Sequence, residues 1–120
     1  MISAYNIALS GLNANATRVA VSANNVANAQ TPDYQPEEVA QSSVAGGGVS
    51  VEVQESDAGT YQSYQPDSAG ANDEGFVSMP NVDYAAEAVD QRMAVAGYKA
   101  NAAVIRTLSA MDRDLLDISV

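Results

Sequence analysis

The apolar positions near the start of the chain follow a seven-residue rhythm without a gap. Ile2, Tyr5, Leu9, Leu12, Ala16, Val19, Ala23 and Val26 succeed one another at steps of three and four. That spacing lays one stripe down an α-helix and underwinds it toward a coiled-coil seam. The opposite face carries Asn6, Ser10, Asn13, Asn15, Thr17, Asn24, Asn25 and Asn28, and Arg18 is the only charge among the first thirty residues. A solvated helix would carry Lys and Glu there, so this one suits a place among other protein. The pattern predicts a helix from an N-cap near Ser3 to about Ala29, roughly 40 Å long at ~1.5 Å per residue. Pro32 ends it by pushing Thr31 out of the α region, and Asn25 and Asn28 can bond the open carbonyls of the last turn.

A second stripe runs Val82, Ala86, Val89, Met93, Ala96, Ala100, Val104, Leu108, Met111, Leu115 and Ile118, ten steps over 36 residues. The mean step is the period of an α-helix. Asn81 or Asp83 can cap this helix behind Pro80, and Asp83 and Glu87 suit its positive end. Gly97 inside it costs ~1 kcal/mol relative to Ala, which points to close approach of another backbone. Between the helices, Val49-Ser50-Val51-Glu52-Val53-Gln54-Glu55 alternates with period two behind Gly46-Gly47-Gly48 and predicts a half-buried strand. Its partner lies either before it, around Glu38–Val44, or after it, around Thr60–Gln65, in a hairpin that leans on a helix. Residues 66–75 have turn composition throughout.

The expected fold is mainly α. Long N- and C-terminal helices pair as an antiparallel coiled coil, with a small β-hairpin and loop insert between them. The chain reads as one subunit over residues 1–120: helix 1–30, acidic β/loop insert 31–80, helix 81–120.

Composition sharpens this picture. The 120 residues are 47% hydrophobic, but much of that is Ala, and the aromatics are six Tyr and one Phe. Large core-filling side chains are scarce, which fits either a small helical domain or a subunit that completes its burial in an assembly. The net charge of −10 is concentrated in the middle, where residues 37–90 hold eleven acidic side chains and no basic one. Both ends are near neutral, so the middle is the solvated part, and phosphate backbones are repelled: no nucleic-acid partner is expected. Arg92, Lys99, Arg106 and Arg113 recur at every seventh position and give the second helix one weakly cationic face.

Much chemistry is excluded. The absence of His and Cys removes His-based triads, thiol nucleophiles and thiolate zinc. The glycine run 46–48 does not lead into a helix as a phosphate cradle would. The acidic residues around Asp67 fail the calcium-loop pattern, because the alternate positions after it are Ala69 and Ala71. No catalytic residue, metal, cofactor or small-molecule substrate is expected. No basic residue precedes the first apolar ones, so a cleavable signal peptide is not expected, and no stretch approaches the ~20 apolar residues of a membrane span.

Three stretches carry a family resemblance. Ala8-Leu9-Ser10-Gly11-Leu12, followed by Ala23-Asn24-Asn25-Val26-Ala27-Asn28-Ala29-Gln30-Thr31-Pro32-Asp33-Tyr34, is similar to the signature shared by flagellar rod, hook and related axial proteins. Asp73-Glu74-Gly75-Phe76-Val77 with Met79-Pro80-Asn81-Val82-Asp83 looks like the proximal-rod C type of the flagellar basal-body rod family, and Tyr98-Lys99-Ala100-Asn101 resembles that family's C-terminal helix. Asp33 stands where the family usually has Gly.

The resemblance implies a structural rod subunit, exported without cleavage by the flagellar type III apparatus to the periplasmic basal body. It also implies assembly with itself and other rod subunits into a helical tube that transmits torque. Terminal helices form the inner layer of such a tube, and the segment between them faces outward. The assembly seams are expected at Ile2, Tyr5, Leu9, Leu12, Val19 and Val26 of the first helix and at Val89, Met93, Val104, Leu108, Met111 and Leu115 of the second. Asn24, Asn25, Asn28, Thr31, Pro32 and Tyr34 form the axial-protein motif. Its asparagines either cap the helix end or contact neighbouring subunits, and the two roles can coexist. Pro80, Asn81, Asp83, Tyr98 and Asn101 are the family-like positions toward the C-terminus. The alternative is a divergent axial-protein paralogue acting as a soluble helical binding module.

Overall fold

The computed structural model describes residues 2–118, with the side chain of Ile2 outside the described set. Six elements follow in order: α1 Ile2–Asn28, β1 Glu37–Ser43, β2 Val49–Glu55, β3 Thr60–Tyr64, β4 Phe76–Pro80 and α2 Tyr84–Ile118. The helices pack side by side and antiparallel. Tyr5 near the start of α1 meets Ser109 late in α2, while Ser22 near its end meets Glu87 in the first turns of α2. The helix expected from Ser3 starts at Ile2, so Ser3 lies inside α1 rather than capping it. At the other end α1 stops one residue short of Ala29.

Asp83 resolves the choice of cap for α2. Its Oδ1 accepts from the backbone N–H groups of Ala85 and Ala86, at 2.9 and 3.2 Å, which satisfies two open donors of the first turn. Asn81 does something else. Its N–H bonds Gly59 O and its Nδ2 bonds Ala58 O, tying the start of α2 to the turn between β2 and β3.

The insert holds two antiparallel hairpins where one was expected. In the first, β1 pairs β2 from Glu37↔Glu55 to Ser43↔Val49, so the partner of the predicted strand is the segment before it. Its turn needs three successive residues at positive φ, and Gly46, Gly47 and Gly48 supply 95°, 101° and 103°. This hairpin lies along α1. The Val49 N–H donates to Ser10 Oγ at the tip, 3.1 Å, and Glu37 is held by Asn25 at the base. Seven strand residues span about 23 Å, which matches the ~22 Å that α1 rises between Ser10 and Asn25. Val49 and Val51 are half-buried as the alternation predicts, but Val53 is exposed.

The second hairpin pairs β3 with β4 from Thr60↔Pro80 to Tyr64↔Phe76, with residues 66–75 as its loop. Residues 76–80, expected only as a lead-in to the second helix, therefore form a strand. Val77 is 1% exposed and Met79 is buried with it, while the Tyr64 and Phe76 rings meet edge to face at 5.3 Å. The whole molecule measures 77 × 24 × 20 Å. That length is about what α2, ~52 Å, and the second hairpin require when laid nearly end to end.

Candidate functional site

The surface between the two helices is built from small and polar side chains. On α1 the inward positions are Ala8, Gly11, Asn15, Arg18, Ser22 and Asn25, buried or half-buried. They follow steps of three and four, like the apolar stripe, but lie one residue before it. On α2 the inward positions Glu87, Asp90, Ala94, Gly97 and Asn101 keep the same rhythm, and Ala94 is 0% exposed. Small residues let the helix backbones approach closely, and each polar group then needs a partner.

Two Gly-x-x-x-Asn segments interlock at the centre. A Cβ on Gly97 would stand 2.7 Å from Asn15 Oδ1, and one on Gly11 would stand 2.8 Å from Asn101 Nδ2. Each asparagine also donates to the carbonyl four residues before it, Asn15 Nδ2 to Gly11 O at 2.7 Å and Asn101 Nδ2 to Gly97 O at 3.0 Å. The neighbour that requires Gly97 is thus a side-chain amide rather than the backbone that was expected. Tyr5 OH and Ser109 Oγ share a hydrogen bond of 2.9 Å toward one end. Toward the other, Arg18, the lone charge of α1, pairs with Asp90.

Asn25 is the hub where α1, β1 and α2 meet. It is 3% exposed, and its amide makes four hydrogen bonds. Nδ2 donates to Glu37 O and Glu87 Oε1, both at 2.7 Å. Oδ1 accepts from the Glu37 N–H at 2.9 Å and from Tyr34 OH at 3.0 Å. The amide thus occupies the place of a neighbouring strand beside Glu37. Tyr34's phenol is held above its ordinary range, by burial first and then by the carboxylates of Glu37 and Glu87, so it stays a donor. Neither Asn25 nor Asn28 bonds the open carbonyls of the last turn, as had been expected: Asn28 donates to Asn24 O, one turn back, at 3.0 Å, and the Ala29 and Thr31 N–H groups reach the Val26 and Asn28 carbonyls.

The rest of the Asn-rich motif shapes the exit from α1. Thr31 N–H bonds Asn28 O, its Oγ1 bonds Asn28 Oδ1, and Tyr34 N–H bonds Thr31 O. Asp33 sits at φ 60°, a left-handed conformation that Gly adopts without cost and Asp tolerates, and its N–H reaches Ser78 O at 2.9 Å. Asn24, Thr31 and Pro32 are exposed.

The apolar stripes face largely outward in the single chain. On α1, Leu9 is 49% exposed and Val26 is exposed, while Tyr5, Leu12 and Val19 are half-buried. On α2, Met93 is 60% exposed, Val89, Val104, Met111 and Leu115 are exposed, and only Leu108 is half-buried. The expected seam position Ile2 falls outside the described side chains. Tyr98 is exposed, and Pro80 is buried at the end of β4. Among the described residues no group of acidic side chains could hold a metal ion, and no helix is long and apolar enough to cross a membrane.

The reciprocal packing of Asn15 and Asn101 and the Asn25 hub were not expected from the sequence. The signal for the first was available in the repeated Gly-x-x-x-Asn spacing at 11–15 and 97–101.

The sequence model of the family described as "Flagella basal body rod protein" matches residues 6–35, which take in most of α1 and the turn to Tyr34. The flagellar basal-body rod protein FlgC of Escherichia coli O6:H1 is 37% identical over 123 residues, covering 92% of this chain and 92% of the relative. FlgC of Salmonella typhimurium is equally similar, at 37% and the same coverage. FlgC of Borreliella burgdorferi is 31% identical over 153 residues, covering 98% of this chain and 97% of the relative. That alignment is longer than the chain's own 120 residues, so the Borreliella protein carries insertions relative to it.

Proposed function

The chain belongs to the flagellar basal-body rod protein family and is a structural subunit of the rod, and we propose that it assembles through the apolar stripes of α1 and α2. The observation that carries this reading is the offset between two faces. The small, polar face of each helix is consumed inside the hairpin, with its hydrogen bonds made. The apolar face beside it, with Leu9, Val26, Val89, Met93, Val104, Met111 and Leu115, is left largely open. Seven exposed large side chains in heptad register amount to a hydrophobic surface that a lone soluble chain would avoid.

The partners are further copies of this chain and other rod subunits, packed in a helical tube that transmits torque. Heterologous contacts of this kind repeat without closing and so build a filament. Within one subunit the two helices pair as an antiparallel coiled coil, supported by the three-and-four spacing of both inward faces. Export through the flagellar type III apparatus to a periplasmic basal body, without a cleavable signal, is the route the family resemblance supports. The role is structural and not catalytic.

Leu9→Asp and Met93→Asp test the reading. Both side chains are exposed in the single chain, so stability should change by less than about 0.5 kcal/mol. Incorporation into isolated basal bodies should fall to background. Normal incorporation of either variant would remove the stripes from the assembly surface.

A further inference from the structure

The four strands of the insert leave four outer edges, and three of them are blunted. The phase of each ladder says which backbone groups point outward. In the first hairpin the Ser56 N–H bonds Pro36 O, so Glu37, Val39, Gln41 and Ser43 on β1 and Val49, Val51, Val53 and Glu55 on β2 direct their N–H and C=O groups away from the pair. Asn25 occupies the β1 edge at Glu37, and Glu38 flanks it; Ser10 occupies the β2 edge at Val49, and Glu52 and Glu55 charge the rest. Charged side chains and capped positions of this kind oppose strand addition.

In the second hairpin the Gln65 N–H bonds Gly75 O, which makes 61/79 and 63/77 the bonded pairs. The outward positions on β4 are then Phe76, Ser78 and Pro80. Phe76 O accepts from the Asn72 N–H and Phe76 N–H donates to Asn72 Oδ1; Ser78 O accepts from the Asp33 N–H; Pro80 has no N–H to offer. The β4 edge is blunted at each of its three outward positions. The outward positions on β3 are Thr60, Gln62 and Tyr64, and no described residue bonds the backbone of Gln62 or Tyr64 on that side. Within the acidic middle of the chain, residues 58–66 carry no charge, and Tyr61 and Tyr64 are exposed. The loop carboxylate of Glu74 borders a shallow groove together with Gln62, Asn72 and Phe76.

We propose that the β3 edge is a strand-addition surface whose occupant is β3 of a second copy of this chain, paired antiparallel about Gln62. The uncharged, self-complementary sequence of β3 selects that occupant. Two chains of net charge −10 repel, and β3 is the open edge at which they can meet without setting carboxylates of the two strands opposite one another. The sequence is self-complementary in this register: Gln62 faces Gln62 of the second copy, Thr60 faces Tyr64, and Tyr61 faces Ser63. Aromatic side chains opposite β-branched ones are favourable cross-strand pairs. The product is a four-stranded sheet in the order β4-β3-β3-β4 with both outer edges already blunted. A two-fold contact cannot be repeated in a tube whose subunits all point one way, so this pairing belongs to the chain outside the rod and does not depend on the rod reading.

The test uses the purified full-length chain. Gln62→Pro removes an outward N–H and no bond to β4, so the hairpin survives while the edge is lost. Sedimentation should show a concentration-dependent dimer that this variant weakens by roughly tenfold or more. Gln62→Cys, in a chain with no other cysteine, should form an interchain disulfide under mild oxidation, because bonded antiparallel pairs bring Cα atoms to ~5.5 Å. Ser42→Cys, exposed on β1, should link far more slowly. A wild-type chain that stays monomeric, a dimer indifferent to Gln62→Pro, or equal cross-linking at Ser42 would each overturn the proposal. None of these readouts involves basal bodies, so the rod reading stands or falls separately.

Discussion

At the scale of a residue, Asn25 shows why an asparagine is needed where an apolar seam would take leucine. Its amide presents two donors and two acceptor directions, and the site supplies two acceptors and two donors. Asn25→Asp keeps the shape but turns the donors into a second carboxylate facing Glu87. Destabilisation of about 3 kcal/mol in urea unfolding is expected, with about 1–2 kcal/mol recovered by adding Glu87→Gln. If the second substitution recovered nothing, Glu87 would not be the partner that makes the charge costly. The same hub sets an alkaline limit. Tyr34's folded-state pKa lies above its ordinary value, so its contribution is complete below the usual phenol range near 10 and is lost as pH rises through the raised value. Urea midpoints between pH 8 and 11.5 should fall more steeply for the wild type than for Tyr34→Phe. Parallel declines would assign the loss to the other tyrosines.

At the scale of an element, the sequence told helix from strand well and told inward from outward poorly. Both long helices and β2 follow from periodicity and from Pro positions, which are local properties, whereas the cap of α2 was narrowed only to Asn81 or Asp83. The helix contact does not, because hydrophobicity is a poor guide where an interface is made of Ala, Gly, Asn and Ser. Leu9 and Met93 dominate any pattern search, yet they lie beside the contact. The β4 strand was hidden for a similar reason: its five residues end in Pro80 and adjoin a helix cap, so they read as a connection. The cost of Gly97 was legible but its cause was not. Alanine there gains ~1 kcal/mol of helix propensity, while its Cβ would meet Asn15 Oδ1 at 2.7 Å. Gly97→Ala should therefore destabilise by about 1–2 kcal/mol, and Asn15→Ala in that background should restore stability to near wild type. A stabilising Gly97→Ala would show that Asn15 yields without cost.

At the scale of the molecule, the two helices are unequal, and the inequality lies at one end. Tyr5 pairs with Ser109, and α1 begins only three residues earlier, so antiparallel register matches its first residue to a position near 112. The remainder of α2, to Ile118, runs past the end of α1. That overhang carries Leu115 and Ile118, both exposed, on a segment too short to hold a helix by itself. Exposed apolar side chains such as Leu115 and Ile118 at a helix end suit a surface that acquires its packing from a neighbouring subunit. Amide exchange in the isolated chain should therefore be fast over residues 113–118 and slow around Ala94, which is 0% exposed. In assembled rods the same amides should become protected along with the exposed stripe of α2. Equal protection at both places before assembly would mean that the hairpin alone orders the end of α2. The overhang would then have no part in joining subunits.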